Sequence, residues 1–168
     1  MGSIELKKYD IIVVGAGHAG CEAALAAGRM GCRVLILAID LDKVAAMPCS
    51  PSIGGMAKGQ IVKEIDALGG QMGKVTDQSA ISYRTLNTKK GPAVQSTRTQ
   101  NDKQRYHVAM KAVLERQENL DLKQALVEQL VVDNNRVSGI VDHTGFSYEC
   151  DAVILATGTF LSGLMHIG

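Results

Sequence analysis

Apolar positions in this chain cluster into short unbroken runs near its two ends and adopt a helical spacing in between. Ile11 to Val14 form one such run after Asp10, and the glycines directly behind it end the run in a tight turn, which predicts a buried strand. Ala19 to Met30 is rich in alanine and poor in β-branched residues, a composition suited to a helix packed closely on a sheet, with Gly31 placed to stop it. Arg33 to Leu37 supplies a second strand, parallel to the first. Between Ala38 and Asn101 no period holds. Pro48, Pro51, Gly54-Gly55, Gly69-Gly70 and Gly91-Pro92 punctuate the segment, and Gln60 to Leu68 is its one clear helical stretch. Residues 39–100 are therefore expected to form a long excursion from the sheet, of the kind that carries binding sites.

Helical spacing returns over Asn101 to Gln117 through Tyr106, Val108, Val113 and Leu114, with Asn101 or Asp102 as the N-cap. Strands are expected at Asp121 to Gln124, Val127 to Asp133, Arg136 to Asp142 and Phe146 to Cys150, with Asn134-Asn135 turning the chain between two of them. Ala152 to Ala156 forms a last strand, ended by Thr157-Gly158. The order strand, helix, strand, excursion, helix, strand, meander, strand defines an α/β fold. It is a Rossmann-like dinucleotide-binding domain with a parallel sheet, a β-meander and a long inserted excursion.

Composition narrows the picture modestly. The 168 residues suffice for one core, and 46% hydrophobic with 21% charged residues places the chain among globular proteins. A formal charge of +1 provides no whole-chain attraction to nucleic acid or to an anionic membrane, although Lys58, Lys63, Lys89, Lys90, Arg98, Lys103 and Arg105 make the middle of the chain locally basic. No window approaches the roughly 18 to 20 apolar residues of a membrane span, and Lys7-Lys8-Tyr9-Asp10 follows no signal-peptide pattern, so a cytoplasmic location without membrane attachment is expected. Cys21, Cys32, Cys49 and Cys150 lack a metal-ligand rhythm.

The candidate chemistry begins at Gly15-Ala16-Gly17-His18-Ala19-Gly20. This match to GxGxxG follows an apolar strand, opens an alanine-rich helix and leads to a second apolar strand, the context in which the motif grips a dinucleotide. The first glycine permits the turn, the second lets a pyrophosphate approach the backbone, and the third lets helix and strand pack closely. His18 either meets a phosphate or caps the helix. The acid that usually binds the ribose is missing directly after Leu37, where Ala38 stands; Asp40 either reaches the ribose or is a solvated loop acid. Asp151 to Gly158 is similar to the later strand-and-glycine motif of flavoproteins with two dinucleotide folds, which favours FAD and adds Thr157 and Gly158 to the cofactor residues. By the same likeness, backbone at the end of the third parallel strand holds adenine, pointing to Val127.

Several separated strings sharpen the resemblance: the glycine turn, Pro48-Cys49-Ser50-Pro51-Ser52-Ile53-Gly54-Gly55, Lys58 to Gly70, Lys90-Gly91-Pro92-Ala93-Val94 with Thr97-Arg98-Thr99-Gln100, and the closing Gly158 to Gly163 and His166 to Gly168. Together they resemble the N-terminal portion of the GidA/MnmG family of FAD-dependent tRNA uridine 5-carboxymethylaminomethyl modification enzymes. The resemblance implies an enzyme that modifies C5 of the wobble uridine of tRNA together with an MnmE-type GTPase, using FAD, NADH and methylene-tetrahydrofolate as carbon donor. Cys49, held between two prolines, is the candidate catalytic thiol, as nucleophile or as acid–base group, since a thiolate adding at C6 of uracil makes C5 nucleophilic. Arg98 and Lys90 are candidate substrate contacts; Gln95 stands where the family pattern has a basic residue. The other three cysteines are expected to be packing residues.

Family members are several times longer. Residues 1–168 therefore correspond to the N-terminal part of an FAD-binding domain. An NADH-binding segment, later strands of the FAD domain, a second catalytic cysteine and a helical region that engages the GTPase are expected beyond it. The full-length protein is expected to be a homodimer, and the shorter chain to bind FAD weakly and self-associate through exposed sheet edges.

Overall fold

The computed structural model describes residues 8–159, so the strings at 160–168 lie outside the described residues. Strand β1 (Tyr9–Val14) runs into helix α1 (His18–Arg29) and strand β2 (Val34–Ala38). The excursion holds β3 (Ser52–Gly54), α2 (Lys58–Ala67), α3 (Met72–Ser79), β4 (Ala80–Leu86) and β5 (Ser96–Asn101). Helix α4 (Lys103–Arg116) then leads to β6 (Leu120–Gln124), β7 (Val127–Asp133), β8 (Arg136–Asp142) and β9 (Ser147–Leu155).

The main sheet has the order β6-β2-β1-β9-β8-β7. Strands β6, β2, β1 and β9 are parallel, while β8 and β7 are joined antiparallel to the β9 edge. Burial on both faces explains the unbroken apolar runs. Ile11 and Val13 of β1 and Val34, Ile36 and Ala38 of β2 pack toward α1 and α4, against Cys21, Ala24, Leu25, Tyr106, Met110 and Leu114. Ile12, Leu35 and Leu37 point the other way and are covered by Ile140, Tyr148 and Val127 of the meander.

Two expectations are corrected. Phe146 to Cys150 and Ala152 to Ala156 are not separate strands but one, β9. Its first part pairs with β8 across Gly139↔Glu149 to Val141↔Ser147, and its later part pairs with β1 across Ile11↔Ala152 to Val14↔Leu155. Asp151 interrupts the apolar pattern without breaking the strand because its side chain stands in solvent, 2.8 Å from Lys8, while the ladder to β1 pairs Cys150 and Ala152 on either side of it. The excursion, in turn, is not largely irregular. Strands β3, β5 and β4 form a separate antiparallel sheet, and α3 follows α2 across Gly69-Gly70. Strand β5 is wholly polar, β3 is three residues long, and β4 leaves Ile81 and Tyr83 exposed, so apolar periodicity could not reveal them.

Other signals hold. Asp102 is the N-cap of α4, accepting from the Arg105 amide at 3.0 Å. Asn134 and Asn135 both have positive φ, 47° and 61°, as a two-residue hairpin turn demands. Cys21 and Cys150 are buried and Cys32 packs beside the core, as expected of packing residues.

Candidate functional site

The site is built where β1 and β9 end side by side. Gly15 takes φ +103°, and a Cβ there would stand 2.4 Å from the Ala156 carbonyl oxygen and 3.3 Å from the Thr157 nitrogen. Gly20 is tighter still, since its Cβ would fall 1.8 Å from the Gly15 carbonyl oxygen and 3.4 Å from the Ala156 side chain. These two glycines let the turn, the first turn of α1 and the end of β9 share one point. Thr157 and Gly158 are thereby brought to the glycine turn, although more than 130 positions separate them along the chain.

Gly17 differs from both. It is the N-cap of α1 in extended conformation, and a Cβ there would meet nothing within 4 Å. The protein itself does not require glycine at that place; an open approach to the backbone does. No side chain caps α1, and the first amides of a helix lack intrahelical acceptors and lie at the positive end of its dipole. That combination fits the pyrophosphate of a dinucleotide.

His18 neither caps the helix nor stays in solvent. Its ring meets Tyr106 edge-on with centroids 5.6 Å apart, and burial holds its pKa below the ordinary histidine value. Its Nδ1 and the Tyr106 hydroxyl are both buried without a hydrogen-bond partner among the described residues. Burial also pushes the Cys21 thiol up to about 12, and its Sγ contacts the Ala16 carbonyl at 3.4 Å, so this thiol is packing rather than chemistry. Asp40 is exposed and spends one carboxylate oxygen on the Asp42 amide at 2.8 Å, as N-cap of a short 3₁₀ turn at Leu41–Lys43. Val127 opens β7 beside the carboxyl ends of β2 and β6, where the Ala125 amide donates to the Ala38 carbonyl at 2.9 Å.

The cysteine segment leaves the same site. Ala45 is fully buried, adopts φ 48° and donates its amide to the Ala16 carbonyl at 2.8 Å, tying the segment to the glycine turn. A non-glycine residue in this conformation is strained, and such strain persists where surroundings over-determine it. Met47 is buried, Pro48 and Cys49 are exposed, and the Asn101 amide takes the Pro51 carbonyl at 2.7 Å. Asn101 is itself locked, its Nδ2 donating to the Thr76 carbonyl and Ser79 Oγ while Oδ1 accepts from Thr99 Oγ1. Cys49 is thus an exposed thiol on a short bridge anchored at both ends.

Arg98 on β5 donates from Nη2 to Ser52 Oγ at 3.1 Å, three positions from Cys49. Lys90 lies apart, in the loop 87–95 that closes the β4–β5 hairpin; its amide donates to the Asn87 carbonyl and its carbonyl accepts from the Gln95 side chain. Gln95 here braces that loop. A residue the sequence reading did not single out is Glu22, whose carboxylate accepts from the Gln71 and Met72 amides at the start of α3, while Arg29 bonds the Gly69 carbonyl and the Gln71 side chain. Its spacing from Arg29 is ordinary for a solvated helix face, so only the fold reveals this contact.

A parallel sheet of order 3-2-1-4 with its glycine turn at the head of the first helix defines the dinucleotide-binding class of α/β domains. The family model for glucose inhibited division protein A matches residues 10–168, and the chain belongs to that GidA family. Relatives include the tRNA uridine 5-carboxymethylaminomethyl modification enzymes MnmG of Syntrophobacter fumaroxidans, 66% identical over 97% of this chain and 25% of the relative, and of Geobacter sulfurreducens, 60% identical over 96% and 26%. The crystal structure of Aquifex aeolicus GidA superposes with TM-score 0.90 at 52% identity, covering 92% of this chain and 26% of that one. PqsL of Pseudomonas aeruginosa, a probable FAD-dependent monooxygenase, shares the fold at TM-score 0.62 and 13% identity. The chain spans about a quarter of the length of the family relatives it matches.

Proposed function

We propose that this chain is the FAD-binding part of a tRNA-modifying enzyme that installs a carboxymethylaminomethyl or aminomethyl group at C5 of the wobble uridine. The observation that carries the dinucleotide assignment is the contrast among the three glycines: Gly15 and Gly20 are required by packing, whereas Gly17 faces open space at a helix start, and the likeness of Asp151 to Gly158 to the later flavoprotein motif favours FAD. Ala16, His18 and Ala19 complete the turn, Thr157 and Gly158 adjoin it, and Val127 marks the adenine side. The names of the relatives support the tRNA substrate.

Bound FAD would supply redox chemistry; the chain's own residues grip, orient and attack. The helix-start amides hold the pyrophosphate. Cys49 serves the uridine in one of two ways. As nucleophile, its thiolate adds at C6, the electron pair moves to C5, C5 bonds the incoming carbon, and loss of the C5 proton expels the thiolate. As acid–base group, it exchanges the proton at C5. Arg98 and Lys90 contact the RNA. NADH as reductant, methylene-tetrahydrofolate as carbon donor, an MnmE-type GTPase partner, a homodimeric assembly and a cytoplasmic location complete the reading. Among the described residues no helix is long and apolar enough to cross a membrane.

The test is the visible spectrum of the purified protein after addition of FAD and desalting. Retained flavin bands in the full-length protein, with weaker retention by residues 1–168 alone, are the expected result, and a full-length protein that stays colourless would remove the FAD assignment. Cys49→Ser should keep the flavin and lose uridine modification; a stable protein–RNA adduct with 5-fluorouridine RNA selects the nucleophile role.

A further inference from the structure

The small sheet of the excursion presents a face that the dinucleotide site does not use. Its register sets Arg98 of β5 between Arg84 of β4 and Gly54 of β3, and sets Gln100 between Ser82 and Ser52. Residues opposite in register share a face. Two neighbouring rows thus offer two guanidiniums, one amide and two hydroxyls, and neither row contains a carboxylate. Gly54 adds no side chain, since a Cβ there would strike the Thr97 carbonyl oxygen at 2.2 Å. Arg84 and Arg98 are exposed, and among the described residues neither forms an ion pair with an acid.

Like charges directly opposite each other across two strands repel, so this pairing weakens the small sheet until an anion lies between them. The face is also ordered toward one end. Arg98 Nη2 donates to Ser52 Oγ at 3.1 Å, Ser52 donates to Gln100 Oε1, and the Ser50 hydroxyl, 2.9 Å from Ser52 Oγ, is left as donor to it. This chain of hydrogen bonds stops at the residue adjoining Cys49.

We propose that Arg84 and Arg98 form a cross-strand clamp for one phosphodiester of an RNA strand, holding the polynucleotide beside Cys49. The proposal rests on the reading of the protein as a tRNA-modifying enzyme. Planar guanidinium forks suit the paired oxygens of a phosphate. The cofactor pyrophosphate has its own amides at the head of α1, on a different sheet. With a net charge of +1 the chain lacks a general attraction for RNA, so a local pair of cations carries the contact.

The test is fluorescence anisotropy of a labelled anticodon stem–loop RNA with the full chain over a salt series, for wild type, Arg84→Ala, Arg98→Ala and the double variant. Each single variant should lose about tenfold in affinity near ~0.1 M salt, and the slope of log K on log salt should flatten by about 1. The double variant should be little worse than either single, because both arginines grip one phosphate. Arg84→Lys and Arg98→Lys should restore the slope but not the full affinity. FAD retention should match wild type throughout, and without RNA the melting temperature of each alanine variant should hold or rise as the cross-strand repulsion is relieved. Unchanged RNA affinity in the double variant overturns the clamp while leaving the tRNA reading in place. Fully additive losses overturn it in favour of two separate surface charges, and lost FAD retention with RNA affinity intact reassigns the arginines to the cofactor. Failure of wild type to bind the RNA removes both the tRNA reading and the clamp.

Discussion

At the scale of single residues, three glycines of one motif do different work, and substitution should separate them. Gly17→Ser puts a good N-cap residue at a position already in extended conformation with free space around it, so the melting temperature should hold or rise. FAD retention should nevertheless fall at least about tenfold, because the new side chain occupies the approach of the pyrophosphate. Gly15→Ala should instead destabilise the fold by more than about 1 kcal/mol, through its positive φ and the clash with Ala156. Equal effects of the two substitutions in a paired melting and FAD-binding assay would count against this division. The spacing of the motif was legible in the sequence. Which glycine faces solvent and which faces β9 was not, because Ala156 is remote along the chain.

At the scale of elements, the excursion shares the apolar core of the dinucleotide domain through Val44, Ala45, Met47, Ile53 and Val75, and polar contacts pin its helices to that core. Glu22 on α1 caps α3 through two backbone amides, an arrangement that also places a negative charge at the positive end of that helix. Glu22→Ala should cost about 1–2 kcal/mol, the usual scale for a lost cap. The loss should be local, with faster amide hydrogen exchange over 69–79 and little change in β1, β2 or β6. Uniform acceleration across the main sheet would show that α3 is not a separately held element. The sequence showed α2 clearly but gave no sign of α3 or of the β3-β5-β4 sheet. Helix α3 and strand β5 are mostly polar, β4 is mostly exposed, and the bonds that order them, such as Asn101 to Thr76 and Ser79, join segments more than 20 positions apart.

At the scale of the whole molecule, protonation of the half-buried His18 ring, packed on Tyr106 at the glycine turn, couples folding to pH. Burial lowers the folded pKa of His18, so the folded state resists a proton that the unfolded chain accepts. The stabilisation is fully present above the ordinary histidine value of about 6.5 and is lost as pH falls from there through the folded pKa. Thermal melting between pH 7.5 and 5 should show this decline in wild type and a shallower one in His18→Phe, which keeps the edge-on contact with Tyr106 without the titrating ring. Parallel pH profiles for the two proteins would remove His18 as the source.

By itself the sequence determined the βαβ unit, the glycine turn, the helix caps and the hairpin turn at Asn134-Asn135, because each is written in residues close together along the chain. Its strings also carried the family. Only the tertiary structure decided that the end of β9 completes the glycine turn, that β9 is one strand serving both the meander and the parallel sheet, and that Cys49 hangs between Ala45 and Asn101 beside a row of arginines. Those arrangements depend on which distant strands lie in register, and register is fixed by burial and hydrogen bonding across the whole fold rather than by any local pattern.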